Sequence, residues 1–203
     1  ADLPNHSQRV VLVSSGAVGA GISALGLTEY PDEVSTRQAA AAVGQTRLMH
    51  AYENLFRSFD VSVAQVLLTA ADLEIDEHRQ RVLDLLERLV VQPGIVPIIN
   101  ENDSVAVEEL SVGDNDLLSA RVAGLLGARL LVLLTSVDGL LPPESEEIVR
   151  EVEKVEDVMC YAKEGKGRFA IGGMASKLQA VKLAVEEGVE AAIQTIIRPD
   201  RLA

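Results

Sequence analysis

The segment from Pro97 to Ala120, "PIINENDSVAVEELSVGDNDLLSA", contains six carboxylates and no lysine or arginine. Like charges that close repel one another, so some of these side chains need partners from elsewhere. Carboxylates mixed with carboxamides can bind the ammonium and amide-like parts of a small polar ligand, or hold a lysine in place. The side chains at the predicted strand end and helix start, which we expect to point into one cleft, are Asn100, Asn102, Asp103, Asn115 and Asp116.

Two other loops are rich in small residues. In "VVLVSSGAVGAG", Ser14 and Ser15 offer hydroxyls beside a predicted helix amino terminus, although a tight strand-to-helix turn would have the same composition. In "AIGGMASKLQAV", two glycines expose backbone amides and Lys177 lies about one turn into the next helix, an arrangement that suits phosphate. Alone, this second pattern is weak evidence. The spacing is not that of a P-loop, and no protein-kinase motif accompanies it.

Short apolar runs alternate with amphipathic stretches of helical length, which predicts parallel strands covered by helices on both faces. In such sheets ligands bind beyond the carboxyl ends of the strands, where these three polar loops fall. We expect Asp114 to cap a helix and residues 138–173 to be irregular. The predicted strands are 10–13, 61–68, 95–99, 129–135 and 190–197; the predicted helices are 34–59, 76–91, 115–126 and 175–187; the predicted loop or hairpin is 102–113.

The composition excludes several functions. Eighteen basic against 31 acidic residues give a net charge of -13, which opposes binding to nucleic acid or to anionic membranes. No apolar run approaches the roughly 20 residues of a membrane span. The one cysteine, Cys160, cannot form an internal disulfide and suits a reducing compartment, so we expect a cytoplasmic protein. With no evident linker or repeat, residues 1–203 are predicted to form a single α/β domain.

Taken in order, the motifs SSGA, INEND, GDND and GGMxxK resemble those of the amino acid kinase family, and the similarity extends over residues 9–189. The resemblance implies a three-layer αβα sandwich around a mainly parallel central sheet. It also implies transfer of the γ-phosphate of ATP, with Mg²⁺, to the side-chain carboxylate of L-glutamate, the first step of proline synthesis. A carboxylate is already ionised at neutral pH, so such a reaction needs alignment and charge neutralisation rather than a general base.

The resemblance also assigns roles to individual residues. Ser15, Asp103 and Asn115 would bind glutamate, Asp116 would organise the catalytic lysines, and Lys177 would stabilise the transferring phosphoryl group. No protein ligand to a metal is assigned. A homodimer or homotetramer and feedback inhibition by proline are implied as well. The residues expected to contact ATP are Thr135, Ser136, Gly172, Gly173, Met174, Ala175, Ser176 and Lys177.

Three departures from the family pattern concern the two ends and the nucleotide site. We expect the chain to lack an amino-terminal strand with a K-x-G-[ST] loop, and to have no carboxy-terminal RNA-binding-like domain. If the missing lysine contributes about 3 to 4 kcal/mol, the 203 residues alone should turn over two to three powers of ten more slowly. Ile171 and Ser136 replace the usual Thr and Asp, which concerns nucleotide affinity.

The sequence allows three alternatives to glutamate phosphorylation to be compared with it. Another enzyme of the same fold, such as acetylglutamate kinase or a uridylate kinase, shares the glycine loops, but INEND and GDND suit a free amino acid. A second alternative is a non-catalytic module of this fold that senses glutamate, proline or nucleotide. A dinucleotide-dependent oxidoreductase is disfavoured, because "GAVGAG" lacks the required glycine spacing.

Overall fold

The computed structural model describes residues 9–105, 115–143, 145, 147–164 and 173–195. The chain divides into two compact units, Ala1–Asn115 and Asp116–Ala203. In unit 1 the elements are β1 (Leu12–Val13), α1 (Ala17–Ile22), α2 (Val34–Arg57), β2 (Ser62–Leu68), α3 (Ala70–Glu74), α4 (Asp76–Val90) and β3 (Ile95–Glu101). Helix α5 (Asn115–Leu125) begins at the boundary, followed in unit 2 by β4 (Leu130–Thr135), α6 (Val155–Val158), α7 (Met174–Glu186) and β5 (Glu190–Thr195).

The sheet of unit 1 is parallel, with strand order β1-β3-β2. Strand β3 lies in the centre and is buried at every position after Ile95, so both of its faces are covered. Its sequence, "IVPIINE", is apolar at the positions that form the core and polar only where the strand ends. Helices α2 and α4 contact β2 and β3 respectively. The polar end of β3 is therefore held by a rigid strand.

The closest helix contact in unit 1 is between α1 and α2, and two glycines make it possible. A Cβ atom on Gly44 would overlap the carbonyl oxygen of Ala17, and one on Gly21 would overlap that of Ala40. Ala17, Val18, Ala40 and Ala41 form a buried cluster at this contact. Because small side chains allow the two backbones to approach, α1 is held against the long helix α2 directly after the serine loop.

In unit 2, β4 and β5 pair in parallel, with Leu130 opposite Glu190 and Thr135 opposite Thr195. Leu131 and Leu133 of β4 pack with alanines of α5 and α7 in one buried cluster. The other face of β4, with Leu130, Val132 and Leu134, is about half exposed in the described part of the chain.

The parallel α/β fold predicted from the sequence is confirmed, and all five described strands pair in parallel. Two short helices in unpredicted places are α3 and α6. Helix α3 begins with a capping box, in which the backbone N–H of Thr69 donates to Asp72 Oδ2 at 2.7 Å. Residues 106–114, with the predicted Asp114 cap, and residues 196–197 lie outside the described residues. The single-domain interpretation stays a prediction.

None of the helices in the described part of the chain combines the length and the apolar character that crossing a membrane requires.

Gly44→Ala should destabilise unit 1, because the added methyl group meets backbone atoms of α1 that cannot rotate away. We expect a loss of about 1 to 3 kcal/mol or more in the free energy of unfolding, measured by urea denaturation. Gly19→Ala is the matched control, since a Cβ at Gly19 meets nothing within 4 Å and Ala favours the helix. Equal stability of the Gly44→Ala variant and the unaltered protein would contradict the close contact.

Candidate active site

The serine loop follows β1, and its two serines have different environments. The Ser14 N–H donates to the carbonyl of Ile99 at 2.8 Å, which continues the β1–β3 ladder by one bond. Ser14 is buried, and its hydroxyl shares a hydrogen bond of 2.7 Å with that of Tyr52. Ser15 is exposed. Of the two side chains, that of Ser15 is therefore the accessible one, and its role in substrate binding stays a prediction.

Asn100, at the end of β3, is only 1% exposed. Its Nδ2 donates to Gln45 Oε1 at 2.9 Å, and its Oδ1 accepts from the N–H of Glu101 at 2.9 Å. The expectation that Asn100 points into an open cleft is therefore wrong, because the buried strand end keeps the side chain within the protein. Asn102 is partly buried, and its Oδ1 accepts from the Ser104 hydroxyl at 2.6 Å.

Asp103 lies in the turn that follows β3 and is partly buried. Burial, reinforced by the negative charge of Glu101, raises the pKa of Asp103 from its ordinary 3.8 to about 6. Both causes disfavour the ionised carboxylate in the folded protein. Among the described residues no lysine or arginine pairs with it. A neighbouring ammonium group would favour the ionised form and offset both effects.

Asn115 is the first residue of α5. Its side-chain oxygen is buried and has no hydrogen-bond partner in the described part of the chain. A buried acceptor without a donor is costly. The position is therefore suited to a ligand that donates a hydrogen bond, in keeping with the predicted role of Asn115 in substrate binding.

Asp116 and Lys177 form a buried ion pair in unit 2. Lys177 Nζ donates to both carboxylate oxygens of Asp116, at 2.9 and 2.8 Å, and the two side chains are only 17% and 11% exposed. A lysine is rarely this buried without a paired charge. The bond between α5 and α7 fixes the ammonium group beside the first turn of α7.

The predicted nucleotide-binding segment forms the start of α7. Gly173 precedes the helix without a side-chain cap, so the amides of the first turn lack intrahelical acceptors. The buried hydroxyl of Ser176 has no hydrogen-bond partner among the described residues. Met174 is partly buried and Ala175 exposed. Gly172 lies outside the described residues. Free donors at a helix amino terminus, with a lysine beside them, are the elements of an anion site.

Thr135 and Ser136 follow one another at the end of β4. Thr135 is buried, and its hydroxyl accepts from the N–H of Val137 at 3.4 Å. Ser136 is exposed. Thr195, at the end of β5, donates to the carbonyl of Val137 at 2.8 Å, which ties the two strand ends together. The Thr135 side chain therefore supports its own turn, while Ser136 is free to contact a ligand.

Three polar side chains that contact one another or the strand ends of unit 1 were not predicted from the sequence: Gln45, Gln65 and Tyr52. Gln45 Nε2 donates to Gln65 Oε1 at 3.0 Å, and Tyr52 contacts Ser14 as described above. Tyr52 lies within the predicted helix 34–59, where no local pattern indicates a contact for its hydroxyl. The available signal was Gln45 itself, a carboxamide between the small residues of the buried face of α2.

Comparison with known proteins identifies the family of the chain. A family model described as "Amino acid kinase family" matches residues 1–198, and the chain belongs to this family. It is 44% identical to a glutamate 5-kinase of Symbiobacterium thermophilum, over all of the chain and 79% of that protein. It is 44% identical to a glutamate 5-kinase of Clostridium acetobutylicum, over 95% of the chain and 74% of that protein.

A third relative is longer. The chain is 47% identical to a glutamate 5-kinase of Moorella thermoacetica, over 95% of the chain but only 52% of that protein. The chain therefore spans about half the length of this relative.

Asp103→Asn should stabilise the protein at neutral pH. The pKa of Asp103 is higher in the folded protein than its ordinary value. The contribution of this side chain to the stability of the folded protein is therefore fully present below pH 3.8 and is lost as the pH rises through about 6. The Asn side chain is neutral throughout. The stability of the variant relative to the unaltered protein should therefore increase between pH 4.5 and pH 7.5 in urea denaturation.

Asp84→Asn, at an exposed carboxylate of α4, is the control for that comparison. A stability difference between the Asp103→Asn variant and the unaltered protein that does not change with pH would contradict the raised pKa.

Proposed function

We propose that the protein transfers the γ-phosphoryl group of ATP to the side-chain carboxylate of L-glutamate. The observation that carries phosphoryl transfer is the buried Lys177–Asp116 pair beside the uncapped first turn of α7. The choice of glutamate is supported by relatives that are 42–48% identical and are named glutamate 5-kinase.

The reaction requires the protein mainly to align the two substrates and to place charges around the phosphoryl group. A carboxylate oxygen of glutamate forms a bond to the γ-phosphorus, the bond from that phosphorus to the β,γ-bridging oxygen breaks, and the electron pair leaves with ADP. No proton has to move, because the attacking carboxylate is ionised at neutral pH. The main contribution to the activation free energy comes from negative charge on the oxygens of the transferring phosphoryl group. A fixed ammonium group stabilises this charge and so lowers the activation free energy. This role fits Lys177, whose orientation Asp116 fixes.

Unit 1 supplies the groups proposed to bind glutamate. The ionised form of Asp103 would pair with the substrate ammonium, which would also offset the burial that raises the pKa of Asp103. The Asn115 oxygen, which lacks a donor among the described residues, would accept a hydrogen bond from the same group. Ser15 would donate its exposed hydroxyl to a substrate carboxylate.

Unit 2 supplies the groups proposed to bind the nucleotide. The first-turn amides of α7, the Ser176 hydroxyl and Lys177 would contact phosphate oxygens, and Ser136 would contact the nucleotide at the end of β4. The described residues contain no group of three or more side chains suited to hold a metal ion, and both oxygens of Asp116 bind Lys177. Mg²⁺ would therefore be bound mainly through water and the phosphate oxygens of ATP.

We propose further that the protein forms a dimer or tetramer, that proline competes with glutamate, and that residues 1–203 act as one domain in the cytoplasm. The single cysteine supports a reducing compartment. Oligomer formation and proline inhibition are supported by the resemblance to the family.

The reaction can be tested by trapping the acyl phosphate as a hydroxamate. The full-length gene product should give product with ATP, Mg²⁺ and L-glutamate, and none with N-acetyl-L-glutamate, because the acetyl group removes the ammonium charge that Asp103 would bind. Product from N-acetyl-L-glutamate alone would indicate acetylglutamate kinase. Nucleotide binding with product from neither substrate would favour the sensing module.

Lys177→Met should lower kcat about 100-fold to 1000-fold, the usual effect of removing a charge that stabilises a transition state. Lys182→Met is the matched control, since Lys182 lies on the same helix but is 42% exposed and pairs with Glu156 and Glu186. Initial rates with saturating substrates measure both variants. A kcat for Lys177→Met within threefold of that of the Lys182→Met variant would remove Lys177 from the reaction.

A further inference from the structure

Helix α2 directs two polar side chains toward the strand ends of unit 1. Gln45 and Tyr52 are seven residues apart, two helical turns, and therefore lie on the same side of the helix. Gln45 is only 9% exposed, although burying a carboxamide costs free energy unless it is hydrogen-bonded. Alanine and glycine occupy the neighbouring buried positions Ala40, Ala41 and Gly44. A polar residue on this face therefore requires an explanation.

Gln45 connects two strands through their side chains. Its Nε2 donates to Gln65 Oε1 of β2 at 3.0 Å, and its Oε1 accepts from Asn100 Nδ2 of β3 at 2.9 Å. Each carboxamide has one donating and one accepting end. The contact with Gln65 thus turns the oxygen of Gln45 toward Asn100, and this fixes the orientation of the Asn100 side chain.

Asn100 transmits that orientation to the start of the substrate loop. Its Oδ1 accepts from the N–H of Glu101, the last residue of β3, at 2.9 Å. The next N–H, of Asn102, still pairs with the carbonyl of Leu68 at 2.8 Å. Asp103 is the first residue of the turn. Gln45 therefore contacts Asn100, three residues before Asp103, close to the point where β3 ends and the turn begins.

Tyr52 makes the corresponding contact at the end of β1. Its hydroxyl oxygen is 2.7 Å from that of Ser14. The N–H of Ser14 makes the last ladder bond, to Ile99, and the next residue is the exposed Ser15. The Ser14 hydroxyl also donates to the carbonyl of Ser15 at 3.3 Å. The direction in which Ser15 leaves the strand thus depends on a hydroxyl that α2 holds.

We propose that Gln45 and Tyr52 are positioning residues for the glutamate site, each holding one strand end by a side-chain hydrogen bond: Tyr52 the end before Ser15, Gln45 the end before Asp103. Neither contacts substrate. Their effect on substrate binding rests on the proposed function, whereas their effect on the two strand ends does not. Loss of either contact widens the range of positions of a substrate-binding side chain while the core of the sheet stays intact.

The test uses Tyr52→Phe, which removes only a hydroxyl, and Gln45→Met, which keeps the length of the side chain without its polar atoms. Tyr30→Phe and Gln80→Met are the controls, at exposed positions. Amide hydrogen exchange needs no activity. We expect faster exchange at residues 14–16 in Tyr52→Phe and at residues 101–104 in Gln45→Met, with the other amides of the sheet and both controls unchanged.

Kinetics measure the effect on substrate. Each variant should raise the KM for glutamate about threefold to tenfold, the range that corresponds to one lost hydrogen bond, and leave the KM for ATP within twofold of its original value. A purely structural role would instead lower the active fraction and kcat and leave the KM for glutamate unchanged.

The outcomes are separable. Unchanged exchange at both strand ends, exchange that rises throughout the sheet, or an unchanged KM for glutamate in an active enzyme each overturn the proposal. If exchange rises locally but the unaltered protein does not phosphorylate glutamate, the proposed function fails while positioning of the strand ends by α2 stands. If Gln45→Met does not fold, Tyr52→Phe alone tests the proposal. This variant removes a single hydroxyl group, and it should change amide exchange only at residues 14–16.

Discussion

The contact between α1 and α2 is the constraint on which the arrangement of unit 1 depends. Two glycines, Gly21 and Gly44, allow the backbones to touch where any side chain would overlap a carbonyl oxygen. Helix α1 begins two residues after Ser15, so its distance from α2 fixes where the serine loop lies. The same face of α2 carries Gln45 and Tyr52 to the ends of β3 and β1. Close packing of small residues thus determines where polar residues lie.

In unit 2, a buried ion pair adds to the packed cluster of β4, α5 and α7. Lys177 is buried because Asp116 accepts two hydrogen bonds from it, and neither charge would be tolerated at this depth without the other. The six carboxylates of the segment 97–120 are therefore not equivalent. Asp116 has a cationic partner, while Asp103 has a raised pKa and is suited to one from a ligand. In a chain with net charge -13, the fixed ammonium group of Lys177 is the reason that phosphate binding is proposed at the start of α7.

Much of this could be read from the sequence, because long helices and buried strands have strong periodic patterns. The positions of β2, β3, β4, α2, α4 and α7 followed from those patterns to within a few residues. The short helices α3 and α6 did not, since five and four residues are too few to show a period. The contact of Gln45 with Asn100 joins residues 55 apart in sequence, and no local pattern encodes it. The contact of Ser14 with Tyr52 likewise joins residues 38 apart.

Direct transfer of phosphate to the glutamate side chain can be tested by following the oxygen atoms. Glutamate labelled with ¹⁸O in its side-chain carboxylate would be incubated with ATP, Mg²⁺ and the full-length gene product. The α-amine of the acyl phosphate then closes the ring and expels phosphate, which keeps the bridging oxygen. If glutamate is the acceptor, each released phosphate carries one ¹⁸O atom, visible as an isotope shift in the ³¹P spectrum. Phosphate released without ¹⁸O, while ADP accumulates, would mean transfer to water and would contradict the account.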